Sequence, residues 1–183
     1  MEEYLSLNKE TWNKKVPIHV DSEFYSNEQF IAGKSSLNEI ELELLGDITG
    51  KSILHLQCHF GQDSISLSRM GAEVVGVDFS DKAIEVAQDL AKECNTSTKF
   101  VCSDVYNLPN HLEDKFDIVF TTYGTIGWLP DINQWAGVVN NFLNPGGFLV
   151  FAEFHPVIWM FDDNFKKITY AYFQQEDIVE NFE

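Results

Sequence analysis

The chain is poor in basic residues and has no long uninterrupted apolar run. Lysine and arginine number 12 against 29 aspartates and glutamates, giving a formal net charge of −17. Such a surface repels polyanions, and the sequence shows no local basic patch, so we predict no nucleic-acid partner. No run approaches the roughly 18 apolar residues of a membrane helix, and the start lacks the basic segment and apolar core of a signal peptide. These absences predict a cytoplasmic protein without a membrane partner.

Cysteine and histidine are too few and too scattered to build a structural framework. The chain has an odd number of cysteines, Cys58, Cys94 and Cys102, and no secretory signal, so free thiols are expected. His55 and His59 lie four residues apart, but a turn rather than a helix should separate them. We therefore expect no metal site.

The apolar content is sufficient for one packed core. Hydrophobic residues make up 44% and aromatic residues 14% of the 183 residues, which excludes a disordered chain. A chain of this length suits a single domain. We predict one domain over residues 1–183.

The stretch from Ser52 to Ser80 is typical of a complete strand, turn, helix and strand. Ser52 to Leu56 is a short apolar run of the kind found in parallel strands buried on both faces. A helical face follows from Gln62, and Glu73 to Val77 is a second strand closed by Asp78. A right-handed crossover brings the turn, the start of the helix and Asp78 to the carboxyl edge of the sheet, where open α/β sheets bind ligands.

Asp78 stands where a nucleoside sugar would be held. It lies 21 residues after Gln57, close to the roughly 20-residue interval at which an acid meets the ribose hydroxyls of a bound dinucleotide. A carboxylate there can accept hydrogen bonds from both the 2′ and the 3′ hydroxyl. The sequence therefore predicts a nucleoside-bearing cofactor.

The turn itself lacks the glycines of a dinucleotide site. The pattern G-x-G-x-x-G aligned on this turn requires glycine at three positions that hold Gln57, His59 and Gln62. A pyrophosphate needs very close backbone approach at the helix N-terminus, so bulky residues there argue against NAD or FAD. An NAD-linked oxidoreductase stays open as an alternative, because it would share the fold and Asp78.

The other common pattern is an apolar strand, an acid, x-G-x-G-x-G, and a second acid at the end of the next strand. The chain keeps Gly61 and Asp78, but has His55 for the first acid and Gln57 and His59 for two of the glycines. The stretch HLQCHFGQD nonetheless resembles a branch of the class I, Rossmann-like S-adenosylmethionine-dependent methyltransferases in which this glutamine and histidine substitution is usual. The later turn N-P-G-G before a strand is also similar to that family.

The resemblance implies a three-layer α/β fold with a mostly parallel sheet in the order 3-2-1-4-5. It implies an enzyme that transfers a methyl group from S-adenosylmethionine to a small-molecule acceptor, leaving S-adenosylhomocysteine. Because turn glycines are substituted and the tail is short, a non-catalytic binding domain of the same fold is a second alternative.

The resemblance also carries site residues onto this chain. Asp104 matches the acid that accepts from the adenine amino group. An aspartate in a turn can instead bond its own backbone, but the adenine role is favoured because the position lies at the same sheet edge. The predicted cofactor-binding residues are Gln57, Cys58, His59, Phe60, Gly61, Asp78, Phe79, Ser80, Ser103, Asp104, Val105 and Thr122. The predicted substrate pocket contains His19, Tyr25, Tyr123 and His155. His155, Tyr123 or His19 could take a proton from the acceptor, and no catalytic residue is assigned.

The chain is expected to divide into a leader, a core and a tail. Residues 1–35 are predicted lid helices, 36–155 the cofactor-binding core and 156–183 a C-terminal extension. The family's usual fold adds a helix and two strands, which need more than the 28 residues after His155. We therefore expect a shortened form, or a five-stranded sheet with a hairpin over the pocket. A free strand edge invites association, so a homodimer is a further prediction.

Periodicity and turn residues predict the remaining elements. Predicted helices are 2–15 ended by Pro17, a short helix within 20–33 capped by Asp21 or Ser22, 36–45 ended by Gly46, 81–94 capped by Ser80 or Asp81, and 132–143. Predicted strands are 98–102, 116–121, 148–154, 168–173 and 178–182.

Overall fold

A parallel sheet carries the fold. The computed structural model describes residues 2–162 and 164–173, and within these ranges the sheet has five strands in the order β3-β2-β1-β4-β5, all parallel. The strands are β1 (Ser52–Leu56), β2 (Glu73–Asp78), β3 (Lys99–Cys102), β4 (Phe116–Thr122) and β5 (Leu143–Ala152). The predicted three-layer α/β architecture and strand order are confirmed.

Six α-helices connect or flank the strands within the described part of the chain. They are α1 (Glu2–Val20), α2 (Asn27–Ile31), α3 (Glu39–Leu45), α4 (Gln62–Arg69), α5 (Asp81–Glu93) and α6 (Ile132–Phe142). Side-chain caps fix two of the starts: the Ser80 hydroxyl accepts from Ala83 N–H, and Asp131 accepts from the N–H groups of Asn133 and Gln134. None of the helices among these residues is both long and apolar enough to cross a bilayer.

The sheet is covered on both faces because its central strands are apolar on both sides. Leu54 and Leu56 of β1 pack with Trp135 and Phe142 of α6 in one cluster. Neighbouring residues of the strands pack in a second cluster with Leu37, Leu45, Ile48 and Leu67. Each cluster buries apolar area that would otherwise face water.

The first helix continues past the predicted stop. Pro17 lies inside α1, which ends at Val20 rather than before the proline. A proline removes one i to i−4 hydrogen bond, but the helix runs on past it. The Pro17 carbonyl accepts from Asp21 N–H at the helix end, and Val16 is buried against the rest of the chain. Tertiary packing therefore outweighs the missing bond.

Three further boundaries differ from prediction. The short leader helix begins after Ser26, not at Asp21 or Ser22, because the chain first turns through residues 21–25. The third helix begins at Glu39, where the Glu41 carboxylate accepts from the backbone N–H of Asn38 at 3.0 Å and from its side-chain amide at 3.2 Å. Strand β5 starts at Leu143, so the predicted N-P-G-G turn lies within it as a register shift against β4.

The described residues divide into two compact units, one that ends at Ala152 and one that begins at Glu153. Within the described residues of the second unit, the predicted strand 168–173 reduces to a single antiparallel bridge between Phe161 and Ile168. The Asp162 carboxylate accepts from the N–H groups of Lys166 and Lys167, which closes a turn where a longer ladder would start. The predicted strand 178–182 lies outside the described residues.

Candidate functional site at the carboxyl edge of the sheet

The turn after β1 keeps the backbone of a glycine-rich loop without its glycines. Gln57, His59 and Gly61 all adopt positive φ, at 56°, 51° and 82°. These are the three positions at which the resembled pattern has glycine. Left-handed backbone is unfavourable for residues with a Cβ, so Gln57 and His59 are held there by the surrounding contacts.

Gly61 is the one position of the three where space as well as φ requires glycine. A Cβ on Gly61 would lie 2.6 Å from two ring carbons of Phe100, whereas a Cβ on Gly146, at φ 84°, would meet nothing within 4 Å. We expect Gly61→Ala to lower the free energy of unfolding by about 2–4 kcal/mol. Gly146→Ala should cost only the conformational part, about 1–2 kcal/mol. Urea unfolding measures the free energy of unfolding of both variants. Equal losses would show that the Phe100 ring moves aside at little cost.

Asp78 ends β2 with its carboxylate tied to the turn after β1. One oxygen, Oδ2, accepts from the backbone N–H of His59 at 2.8 Å, and Oδ1 accepts from the N–H of Ser80 at 2.9 Å. Burial raises the pKa of this carboxyl to about 6, while the N–H groups of Ser80, His59 and Phe79 lower it. Each carboxylate oxygen has a second lone pair, so the group can still accept from a ligand.

A partly open cleft lies at this edge of the sheet, in front of Asp78. Its empty space, including the open mouth, is about 500 Å³. The predicted cofactor residues in its wall are Gln57, Asp78, Phe79, Ser103, Asp104 and Val105. Asp78 and Asp104, at the ends of neighbouring strands, therefore line one cavity.

Asp104 has both of the arrangements considered for it. Its Oδ1 accepts from the N–H groups of Tyr106 and Asn107, each at 3.0 Å, so the residue does close its own turn. Asp104 is also part of the cleft wall. One oxygen shapes the loop, and the other, Oδ2, carries no hydrogen bond among those found in the described residues.

The other predicted cofactor residues support the turn from behind. Cys58 and Phe60 are buried, and Gly61 precedes the first residue of α4. Ser80 is buried as the cap of α5, and its hydroxyl donates to Asn13 Oδ1 at 2.6 Å. The Thr122 hydroxyl donates to Asp63 Oδ2 at 3.2 Å, and burial raises the pKa of Asp63.

His59 faces the leader helix rather than open solvent. Its Nε2 lies 2.9 Å from His19 Nδ1, and its ring packs edge-on against Trp12 and near Tyr25. Burial lowers the pKa of His59 to about 3 and also lowers that of His19. Burial, followed by the nearby Asp63, raises the pKa of Tyr25 to about 12. The leader thus packs on the turn through a cluster of largely uncharged rings.

The remaining predicted pocket residues are placed differently. Tyr123 follows β4 at φ 41°, and its N–H donates to Ala152 O at 2.8 Å. Burial raises the pKa of its phenol, and a hydrogen bond with Glu41 adds to this. His155 lies in the second unit, where its Nδ1 accepts from Val157 N–H at 3.3 Å and caps a 3₁₀ turn. The structure therefore brings His19 and Tyr25 together at the turn after β1.

Several cleft residues were missed by sequence reasoning. Tyr4, Leu5 and Asn8 of α1 line the cleft, together with Tyr106, Trp128, Leu129 and Pro130. The apolar side was predicted from Leu5, Leu7 and Trp12, but Leu7 is 60% exposed. The repeat Tyr4, Asn8, Trp12 at intervals of four was the signal for the correct face. The Tyr4 hydroxyl donates to the Trp128 carbonyl, which joins α1 to the loop after β4.

No group of three histidine, cysteine, aspartate or glutamate side chains in the described residues is arranged to hold a metal ion. The three cysteines are free thiols, as predicted. His55, which stands at the position of the first acid in the resembled pattern, is buried and contacts Ser64 Oγ through Nδ1 at 2.7 Å.

Comparison with known proteins assigns the family. The profile of the family described as "Methyltransferase domain" matches residues 53–147, more than half of the chain. The chain belongs to this methyltransferase family. The matched segment contains β1 from its second residue, β2 to β4, α4 to α6 and the whole turn from Gln57 to Gly61.

Individual relatives of this methyltransferase-family chain are distant. It is 29% identical over 158 residues to an uncharacterized protein of Haemophilus influenzae, covering 79% of this chain and 61% of that protein. It is 31% identical over 130 residues to a demethylmenaquinone methyltransferase of Lactococcus lactis, covering 68% and 51%. The chain thus spans about half to three fifths of these relatives. The fold is similar to that of the DhpI–SAH complex, with a TM-score of 0.64 at 18% identity over 84% of this chain and 70% of that one.

Proposed function

We propose that the chain binds S-adenosylmethionine in the cleft and transfers its methyl group to a small-molecule acceptor. The observation that carries the proposal is the placement of Asp78 and Asp104 in one cleft wall, beside a turn with three positive φ values. Family membership supports the same chemistry. The acceptor class rests on the acidic composition, which disfavours polyanionic substrates.

The residues at the cleft fit this cofactor by their chemistry. Asp78 would accept from the ribose hydroxyls through lone pairs that the His59 and Ser80 N–H groups leave free. Asp104 Oδ2 would accept from the adenine amino group, and Phe79 and Val105 offer apolar surface to the ring. The turn from Gln57 to Gly61 would pass beneath the amino-acid portion. We assign the other predicted cofactor residues to shaping this turn and its flanking loops.

When bound, S-adenosylmethionine supplies a methyl group on a sulfonium that is already a good leaving group. The protein then has mainly to align the acceptor and exclude water. We propose that residues 1–35 act as a lid over the core 36–155, with His19 and Tyr25 near the acceptor. His19 stays neutral near pH 7 because burial lowers its pKa, so it could take a proton from a hydroxyl or amine. Tyr123 and His155 are further candidates for the same role.

The assembly and location of the protein are proposals of the same kind. The free edges of the described sheet favour a homodimer, which the mass from light scattering tests. We propose that the protein is cytoplasmic, and its acidic composition disfavours binding to nucleic acid. We assign residues 156–183 to a C-terminal extension of the domain.

Calorimetry with S-adenosylhomocysteine tests the cofactor assignment. We expect saturable binding in the micromolar range and an upward shift of the melting temperature, because a ligand bound only to the native state stabilises it. NAD, titrated in parallel, should give neither. Stabilisation by NAD alone would indicate an oxidoreductase. Neither heat nor a melting shift with either ligand would indicate a binding domain without a working cofactor site.

A further inference from the structure

Gln57 is the residue by which this cleft departs most from a glycine-lined one. It stands at the first glycine position of the turn, with φ 56°, and the residue lines the cleft. Its Nε2 donates to the Thr125 carbonyl at 3.0 Å. Its Oε1 is buried and has no hydrogen-bond partner among the described residues.

The orientation of this amide is determined by Thr125. Turning the amide over would bring Oε1 against the Thr125 carbonyl, and two acceptors would then face each other. Nε2 must therefore face Thr125, and the carbonyl oxygen is the group left over. Buried acceptors in native proteins nearly always have a donor. A side chain in a ligand cleft can obtain that donor from the ligand.

The order of the strands indicates which part of a ligand comes next to Gln57. Asp104 follows β3, Asp78 ends β2 and Gln57 follows β1, and these strands are consecutive in the sheet. Neighbouring strands are about 4.8 Å apart. If Asp104 holds the base and Asp78 the ribose, the group that reaches Gln57 is attached at the 5′ carbon. In the proposed cofactor that group is the methionine portion.

We propose that Gln57 Oε1 accepts a hydrogen bond from the α-ammonium group of the cofactor and so selects ligands with an intact amino-acid portion. The inference rests on the proposed function. The α-ammonium is the strong N–H donor of that portion, whereas the ribose hydroxyls are within the reach of Asp78. An amide oxygen paired with a cation makes a stronger hydrogen bond than one paired with a neutral donor.

The test compares two ligands on one variant and one control. Gln57→Met keeps the length of the side chain and removes the amide, while Gln62→Met does the same to a glutamine that bonds to Tyr25 O and Asn27 Oδ1 instead. Calorimetry is run with S-adenosylhomocysteine and with 5′-methylthioadenosine, which lacks the amino-acid portion. Gln57→Met should weaken the binding of S-adenosylhomocysteine about tenfold and that of 5′-methylthioadenosine less than twofold. Gln62→Met should leave the ratio of the two affinities unchanged.

A deamino analogue of S-adenosylhomocysteine, with hydrogen in place of the ammonium, completes the test. The wild-type protein should bind it about tenfold less tightly than S-adenosylhomocysteine, and Gln57→Met should bind the two nearly equally. If Gln57→Met weakens the binding of all three ligands equally, or keeps the preference for the ligand with the ammonium, the proposed role of Gln57 is wrong. The proposed function is not affected by that result. If the wild-type protein binds none of the ligands, the proposed function falls as well. Melting temperatures without ligand report whether the variants fold.

Discussion

Replacing Asp78 with asparagine is expected to weaken binding of S-adenosylhomocysteine about 100-fold. The buried carboxylate already accepts from His59 and Ser80 N–H, and its remaining lone pairs are proposed to accept from two ribose hydroxyls. Charge-assisted hydrogen bonds contribute about 1.5–3 kcal/mol each, and an asparagine NH₂ offers a donor where an acceptor is needed. Losing one such bond and weakening another accounts for the expected loss of affinity. Calorimetry with S-adenosylhomocysteine measures this loss.

The pH dependence provides a second measure of the same carboxylate. Burial raises the pKa of Asp78 to about 6, and only the ionised form can accept from both hydroxyls. The affinity of the wild-type protein should therefore be flat above pH 7 and fall about tenfold for each pH unit below 6. Asp78→Asn should bind weakly at all pH values, without this decline. A decline of equal size in the variant would assign the titration to another group.

Asp104→Asn makes the same change in the second predicted cofactor carboxylate, after the neighbouring strand, and is compared with Asp78→Asn. Its Oδ1 would keep the bonds to Tyr106 and Asn107 N–H, so the loop should stay closed. Oδ2 becomes a donor facing the proposed adenine amino group, which should cost about tenfold in affinity. The free energy of unfolding without ligand is measured for both variants. If Asp78→Asn binds S-adenosylhomocysteine as tightly as the wild-type protein does, the assignment of Asp78 to the ribose is wrong.

Local rules were sufficient for the central strand, turn, helix and strand. The predicted bounds of β1, Ser52 to Leu56, agree with the structure, and Ser80 caps α5 as one of the two predicted residues. These features depend on runs of apolar residues and on a hydroxyl at a helix start, which are properties of a few consecutive residues. The strand order followed from the family pattern and is confirmed.

The leader could not be predicted in the same way, because its structure depends on distant partners. Pro17 is tolerated inside α1 where Asn13 bonds to Ser80 and Asp81, residues more than sixty positions away. The face of α1 that lines the cleft is determined by Trp128, in a loop whose position follows only from the fold. Similarly, the strained φ of Gln57 and His59 is a product of the folded surroundings. Sequence patterns are therefore enough to place these residues in the turn but not to predict their conformation.

Acid is expected to destabilise the protein through its buried histidines, of which His55 is the clearest. Burial lowers the pKa of His55 from its ordinary value of 6.5 to about 3. Between these values the unfolded chain binds a proton that the folded chain does not, so stability present above pH 6.5 is lost as the pH falls. The loss is about 1.4 kcal/mol for each pH unit, on the order of 5 kcal/mol over the whole interval.

Other buried groups titrate over the same range, so the variant is compared with the wild type at each pH. His59 acts in the same direction as His55, because its pKa is also lowered to about 3. Asp78 acts in the opposite direction: its raised pKa makes the folded chain bind a proton between about 6 and 3.8, where the unfolded chain does not. Because both groups are present in both proteins, the difference between the two pH curves isolates His55.

The variant His55→Gln keeps a polar partner for Ser64 but cannot be protonated in this range. It loses packing against the Phe120 ring, 4.9 Å away between centroids, so it should be less stable at pH 7 by about 1–3 kcal/mol. That gap should shrink by about 1.4 kcal/mol per pH unit below 6 and close between about pH 5.3 and about pH 3.9. Urea unfolding at pH 7, 6, 5 and 4 measures it, with His111→Gln at an exposed site as the control. Parallel curves for His55→Gln and the wild type would mean that His55 takes up its proton without unfolding the sheet.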